Sequence, residues 1–206
     1  MMPIRAVIFD LGGVLVRTTD PAPRARLAER LGLSPVELSR IIFDEDSAYQ
    51  ATLGAITTQE HWEAVRRKLG MSPEEFPDVP VEFWGGDTLD KDLVDYLHAL
   101  RPRYKTALLS NAWDDLRQVL EEHWKITDAF DEVFISAEVG LLKPDPRIYR
   151  LALERLGVAP QEAVFVDDFP ENVAGARAVG IHAIQFRDSG QARAEVEAML
   201  DRRGQG

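Results

Sequence analysis

The chain has 206 residues, no cysteine and a formal net charge of −11. Without cysteine there is no disulfide framework, thiolate nucleophile or cysteine-bound zinc. An acidic balance with no Lys/Arg-rich block argues against nucleic acid or an anionic membrane surface as the main partner. An anionic substrate must therefore be held by local cations against the overall field. The length suits one domain with a sizeable core, or a core plus a smaller inserted unit. The first strand begins almost at the N-terminus, which leaves no room for a signal peptide, and no apolar run approaches a membrane span. The cytoplasm is the expected compartment.

The run Ala6 to Asp10 reads as a buried strand of β-branched and aromatic residues that ends on a carboxylate and meets Gly12-Gly13 at once. Thr18 to Asp87 carries helical patterns and no convincing strand. Leu27, Leu31 and Leu33 form an amphipathic segment closed near Gly32. Ser34-Pro35-Val36-Glu37, Thr57-Thr58-Gln59-Glu60 and Ser72-Pro73-Glu74-Glu75 read as helix starts of the capping-box kind. Trp62, Val65 and Leu69 recur at helical spacing between the last two. The Pro-rich piece Phe76 to Pro80 and then Gly85-Gly86 end an insertion of about seventy residues, longer than an ordinary connection.

From Leu89 helices and strands alternate. Leu89 to Leu100 reads as helix, Lys105 to Leu109 as strand, Asp114 to Trp124 as helix and Glu132 to Ser136 as strand. A helix capped by Asp145, with Pro146 at its first position, closes at Gly157. Ala163 to Asp167 is the next strand, followed by a helix ending at Gly180. Ile181 to Phe186 is the last strand, Gly190 to Leu200 the last helix, and the final six residues are expected to fray. Such alternation predicts an α/β fold, a Rossmann-like parallel sheet with helices on both faces. An all-helical unit is inserted after the first strand, so 1–17 and 88–206 make the core and 18–87 a cap.

Parallel strands bring Asp10, Ser110-Asn111 and Asp167-Asp168 to one sheet edge, the edge where such folds bind ligands. Carboxylates meeting there repel, and a hard divalent cation relieves the repulsion. Magnesium keeps most of its waters and suits Asp10 with Asp168. The Ser110 hydroxyl and the Lys143 ammonium are fit to hold phosphoryl oxygens.

Phe9-Asp10-Leu11-Gly12-Gly13-Val14, Leu108-Leu109-Ser110-Asn111, Lys143-Pro144 and Phe165-Val166-Asp167-Asp168 with Asn172 resemble the four motifs of the haloacid dehalogenase-like (HAD) hydrolases. These are mostly magnesium-dependent phosphatases, and the likeness covers the whole chain. The resemblance implies a Rossmann-like sheet centred on the first strand, with 18–87 as the family's helical cap. It makes Asp10 the nucleophile that becomes phosphorylated. Ser110, Asn111, Lys143 and Gly13 fall in the phosphate-binding set. Asp10, the Gly12 backbone carbonyl and Asp168 would hold Mg²⁺, supported by Asp167 and Asn172. The implied substrate is a small phosphorylated metabolite, such as a sugar phosphate, turned over by a monomer or homodimer.

One position departs from the pattern. The phosphatases usually carry a second aspartate two residues after the nucleophile, as general acid and base, and here Gly12 stands there. A weakened enzyme is expected, limited by water attack on phospho-Asp10, with Glu45 or Asp46 as candidate replacements. Two other readings stay open: a metal-free 2-haloacid dehalogenase, and a catalytically weak phosphate-binding or regulatory module. Of the other residues, His61, His98, His123 and His182 show no ligand spacing. Phe43, Tyr49 and Trp84 are expected to be buried in the cap, Trp113 to line a pocket or the core, and Arg17 and Asp44 to Asp46 to face solvent.

Overall fold

A computed structural model describes residues 2–201. Strand β1 (Ala6–Phe9) is buried throughout, and Asp10 stands one residue past its end. The chain turns through Gly12-Gly13 into the short strand β2 (Val16–Thr18). Helices α1 (Ala22–Arg30), α2 (Pro35–Phe43), α3 (Asp46–Thr52), α4 (Thr58–Lys68) and α5 (Asp78–Trp84) follow. Strand β3 (Asp87–Leu89) then returns antiparallel to β2. The remainder runs α6 (Lys91–Leu100), β4 (Lys105–Ser110), α7 (Leu116–Gln118), β5 (Glu132–Ile135), α8 (Ser136–Val139), α9 (Pro146–Leu156), β6 (Ala163–Asp167), α10 (Pro170–Ala178), β7 (His182–Gln185) and α11 (Ser189–Asp201).

The main sheet has the order β5-β4-β1-β6-β7 and is parallel at every pairing. Phe9 lies opposite Leu108 on one side and Val166 on the other. This register brings Asp10, Ser110 and Asp167 to the same edge. Alternate residues of each strand feed opposite faces, as the two-residue period requires. Val7, Phe9, Leu108 and Val166 pack against Leu93 and Leu97 of α6 and Val196 of α11. Ile8, Leu109 and Phe165 pack against Ile148 and Tyr149 of α9 and Val173 of α10. Helices α1 to α5 bury their own cluster, including Leu27, Leu38, Val65 and Phe83.

Local chemistry explains most boundaries. Ser34 and Thr57 each close a reciprocal capping box, with Glu37 and Glu60 accepting from the capping residues' N–H groups at 2.8 Å. Asp145 accepts from Arg147 N–H at 2.8 Å, and α9 ends on left-handed Gly157. Other expectations need correction. Val16–Thr18 and Asp87–Leu89 pair as a ribbon at the two ends of the helical insertion, so Leu89 belongs to a strand. The next helix starts at Lys91, with the Asp90 carboxylate accepting from Leu93 N–H at 3.0 Å. Ser72 to Glu75 forms only a turn, because Pro77 disfavours helical backbone at Phe76 and brings no N–H. The expected helix over Asp114 to Trp124 begins at Leu116 and widens to a π-helix over Val119–Trp124, closed by left-handed Lys125. The expected fraying beyond Asp201 lies outside the described residues.

Candidate active site

Lys143 is the keystone of the sheet edge. Its side chain is 1% exposed, and its Nζ sits 2.8 Å from Asp10 Oδ1 and 2.7 Å from Asp167 Oδ2. The backbone carrying it is clamped by Asn111, whose Nδ2 donates to Lys143 O and whose Oδ1 accepts from Lys143 N–H, both at 2.8 Å. Both polar ends of the Asn111 amide are thus committed to the lysine. The adjoining Pro144 presses on α10, where a Cβ at Gly175 would meet the Pro144 ring and carbonyl at 2.9 Å.

Asp167 is fully buried and surrounded by donors. Besides Lys143 it accepts from Phe169 N–H at 2.8 Å and from Asn172 Nδ2 at 3.0 and 3.1 Å. Asn172 is steadied in turn by Tyr149, whose hydroxyl donates to its carbonyl at 2.8 Å. Asp10 accepts from Leu11 N–H at 2.7 Å on the same oxygen that meets Lys143. Both of these contacts fall on Oδ1, and neither uses Oδ2. Ser110, at the end of β4, is buried beside them.

Burial pushes the Asp10 carboxyl up to about 7, with Lys143 opposing the shift and Asp167 adding to it. Asp168 is also raised, by burial and then by Asp167. One oxygen each from Asp10, Asp167 and Asp168 lies within 4.8 Å of the others. Asp168 Oδ1 is buried with no hydrogen-bond partner among the described residues. An orphaned carboxylate oxygen beside a second open carboxylate is the donor set of a hard divalent cation such as Mg²⁺. Asp10 and Asp168 could hold it, since the oxygens of Asp167 are already taken.

Gly13 makes this approach sterically possible. Its φ is +78°, and a Cβ there would stand 2.2 Å from Asp168 Oδ2. Its N–H goes to Val16 O at 2.9 Å. Gly13→Ala is expected to cost about 1–2 kcal/mol through the backbone alone. Displacing Asp168 should weaken divalent-cation binding, measured by calorimetry, by about 10–100-fold.

The loop after β4 also reaches the helical insertion. Ala112 is held at both backbone groups by Ser136 Oγ, at 2.9 and 3.1 Å. Trp113 is buried among cap-side residues, its ring 4.4 Å from His61 and 5.6 Å from Trp62. Asp114 Oδ1 accepts from Thr58 N–H at 2.8 Å and from Thr58 Oγ1 at 2.6 Å, at the first turn of α4. Nothing local in the sequence announces this tie.

Other expectations change here. Phe43, Tyr49 and Trp84 are not buried: they are 44%, 59% and 39% exposed. Arg17 is not a free surface group: it pairs with Asp90 at 2.7 Å and lies over the Phe186 ring. Glu45 pairs with Lys68 at 3.3 Å. Glu45 and Asp46 line a hollow of about 230 Å³ with Ile41 and Lys68, and no residue of the sheet edge borders it. His61 is buried on Trp113, its imidazole pushed down by burial, and His98 lies near Asp128.

Three carboxylates and a serine at the strand ends of a parallel sheet, joined by a buried lysine from the segment before α9, give a Rossmann-like α/β fold with a charged site at its ligand edge. The model of the haloacid dehalogenase-like hydrolases matches residues 4–180, and the chain belongs to this family. D-ribitol-5-phosphate phosphatase from Bacteroides thetaiotaomicron is 26% identical over 212 residues, 96% of this chain and 99% of its own. (S)-2-haloacid dehalogenase 1 from Pseudomonas sp. is 28% identical over 90% of this chain and 86% of its own. Among solved structures, an aspartate-to-alanine variant of a HAD family enzyme from B. thetaiotaomicron, in complex with magnesium and inorganic phosphate, is 25% identical. Its TM-score is 0.76, over 92% of this chain and 98% of that one. The chain spans 39% of the length of the rat, mouse and pig bifunctional epoxide hydrolases it also matches. No helix among the described residues is long and apolar enough to cross a membrane.

Proposed function

We propose that this hydrolase is a magnesium-dependent phosphatase acting on a small phosphorylated metabolite through a phosphorylated Asp10. One observation carries the reading: Lys143 is locked between Asp10 and Asp167 while Asp168 Oδ1 is left without a partner beside them. The phosphatase relative and the neighbour with magnesium and phosphate support it. Residues 18–87 are assigned as the cap over a core of 1–17 and 88–206.

Asp10, Asp168 and the Gly12 carbonyl would hold Mg²⁺, which supplies positive charge against the phosphoryl oxygens when bound. Lys143 adds a second, fixed charge, and Ser110 a hydroxyl donor. Asn111 and Asp167 act through Lys143, by fixing its backbone and its ammonium. The open Asp10 oxygen attacks phosphorus, the bond from phosphorus to the leaving oxygen breaks, and that oxygen takes its proton from water because Gly12 offers none. Water then attacks phosphorus, the bond to Asp10 breaks, and inorganic phosphate departs.

The test is phosphate release from a panel of phosphomonoesters, with Mg²⁺ and with chelator, beside halide release from 2-chloropropionate. The expected result is Mg²⁺-dependent phosphate release, with a rapid-quench burst from slow hydrolysis of phospho-Asp10. Halide release indifferent to Mg²⁺ would replace the reading with the dehalogenase one, and no product from either class would leave a binding module.

A further inference from the structure

Phe43, Trp84 and Trp113 form a closed triangle of rings, with centroids 5.8 Å (Phe43 to Trp84), 6.2 Å (Phe43 to Trp113) and 6.3 Å (Trp84 to Trp113) apart. Aromatic rings pack at such separations, yet this group is not sealed, since Phe43 and Trp84 keep over a third of their surface exposed. Trp113 lies three residues past Ser110, on the loop whose Asn111 holds Lys143. The two exposed rings are therefore joined, through the buried Trp113, to the loop that carries Ser110 and Asn111.

We infer that this triangle receives the leaving group of the substrate, and that the group is a neutral apolar chain or ring. The inference rests on the phosphatase reading and names the class of ester within it. A second anionic group is disfavoured at this place. Phe43 and Trp84 are the last residues of α2 and α5, where helix ends carry partial negative charge, and Asp44 and Asp114 follow Phe43 and Trp113 directly. A cationic tail is disfavoured too. The Arg24 guanidinium already lies 4.4 Å from the Phe83 ring centroid and 5.4 Å from that of Trp84, anchored to both Asp87 oxygens at 2.9 and 3.0 Å. A polyol would trade its hydration for ring faces that offer no matching hydrogen bonds.

The experiment compares n-hexyl phosphate, glycerol 3-phosphate and phosphocholine in the presence of Mg²⁺; hexanol is the weakest acid of the three alcohols, so leaving-group ability works against the expected order. The hexyl ester is expected to exceed the other two in kcat/KM by about tenfold or more, since each buried methylene is worth several-fold. Trp84→Ala should cut that ratio by about tenfold, and Trp84→Phe should restore most of it. Equal or better use of the polyol or the choline ester, or a ratio that Trp84→Ala leaves unmoved, overturns the inference. Binding of n-hexylphosphonate, followed by tryptophan fluorescence against methylphosphonate, decides the matter without turnover. If no ester is hydrolysed, the phosphatase reading fails, while tighter binding of the hexyl compound than of the methyl one still upholds the aromatic site, and equal binding removes it.

Discussion

Lys143→Met is expected to lose about 3–5 kcal/mol of stability, the scale for stripping one partner from a buried ion pair, and to lose turnover as well. The ammonium meets Asp10 and Asp167 at once, and all three side chains are buried. Methionine fills a similar volume but leaves the Asp10 and Asp167 carboxyls facing one another with no cation between them, where water cannot take its place. Asp167 keeps its N–H donors from Phe169 and Asn172, whereas Asp10 retains the single N–H of Leu11. The companion variant is Asp10→Asn, which removes one of the crowded carboxylates and keeps its shape. Its turnover should disappear while its thermal stability stays level or rises, since sites built for chemistry hold charge at the expense of the fold. The pH dependence separates the two variants further. Without divalent cation, folded Asp10 keeps its proton up to about pH 7, while the unfolded carboxyl releases it near 3.8. Wild-type stability therefore falls as pH rises between those values, and Asp10→Asn removes that slope. Thermal melts from pH 4 to 8 measure both effects. A Lys143→Met protein that melts like the wild type would show that the pair contributes nothing to the fold.

The sheet was legible because its strands are short apolar runs punctuated by polar groups at their C-terminal ends. Phe9-Asp10, Leu109-Ser110 and Val166-Asp167 each mark the point where a buried strand meets the ligand edge. Parallel order then makes these points neighbours without further information. Glycine and proline signals were equally readable: Gly157 closes α9 through a left-handed conformation, and Asp145-Pro146 opens it. What stayed hidden depends on contacts between distant segments. The ribbon of β2 and β3 has three residues per strand, too few for alternation to show, and exists only because the insertion begins and ends at the same place. The hydrogen bonds of Asp114 to Thr58 span 56 positions and follow no motif. Asn111 carries the signature of a ligand-binding residue, but its amide is spent on the Lys143 backbone. Phe43, Tyr49 and Trp84 follow a composition rule that buries aromatics, and their exposure reflects the open side of the helical insertion.

Gly12→Asp is expected to raise turnover of an alkyl phosphate by about 10²-fold or more, the lower part of the range for general acid–base catalysis. No atom lies within 4 Å of a Cβ built at this position, and the Gly12 backbone is not left-handed, so a Cβ is accommodated there without a clash. Two residues past Asp10, the proposed nucleophile, the new side chain takes the place that the family resemblance gives to the aspartate that protonates the leaving oxygen and then activates water. An alkoxide departs poorly without a proton, so the first step gains most with alkyl esters. An acyl phosphate, whose leaving group departs unprotonated, should gain little in that step. The second step gains for both, because water attack on phospho-Asp10 acquires a base. The burst expected of the natural chain should therefore shrink or vanish in Gly12→Asp, while the steady-state rate rises. Rapid-quench traces of the two proteins on one alkyl ester are sufficient to decide. A variant that binds Mg²⁺ as well as the natural chain yet gains no rate would mean that the missing proton already arrives by another route. Water attack would then not be what limits this enzyme.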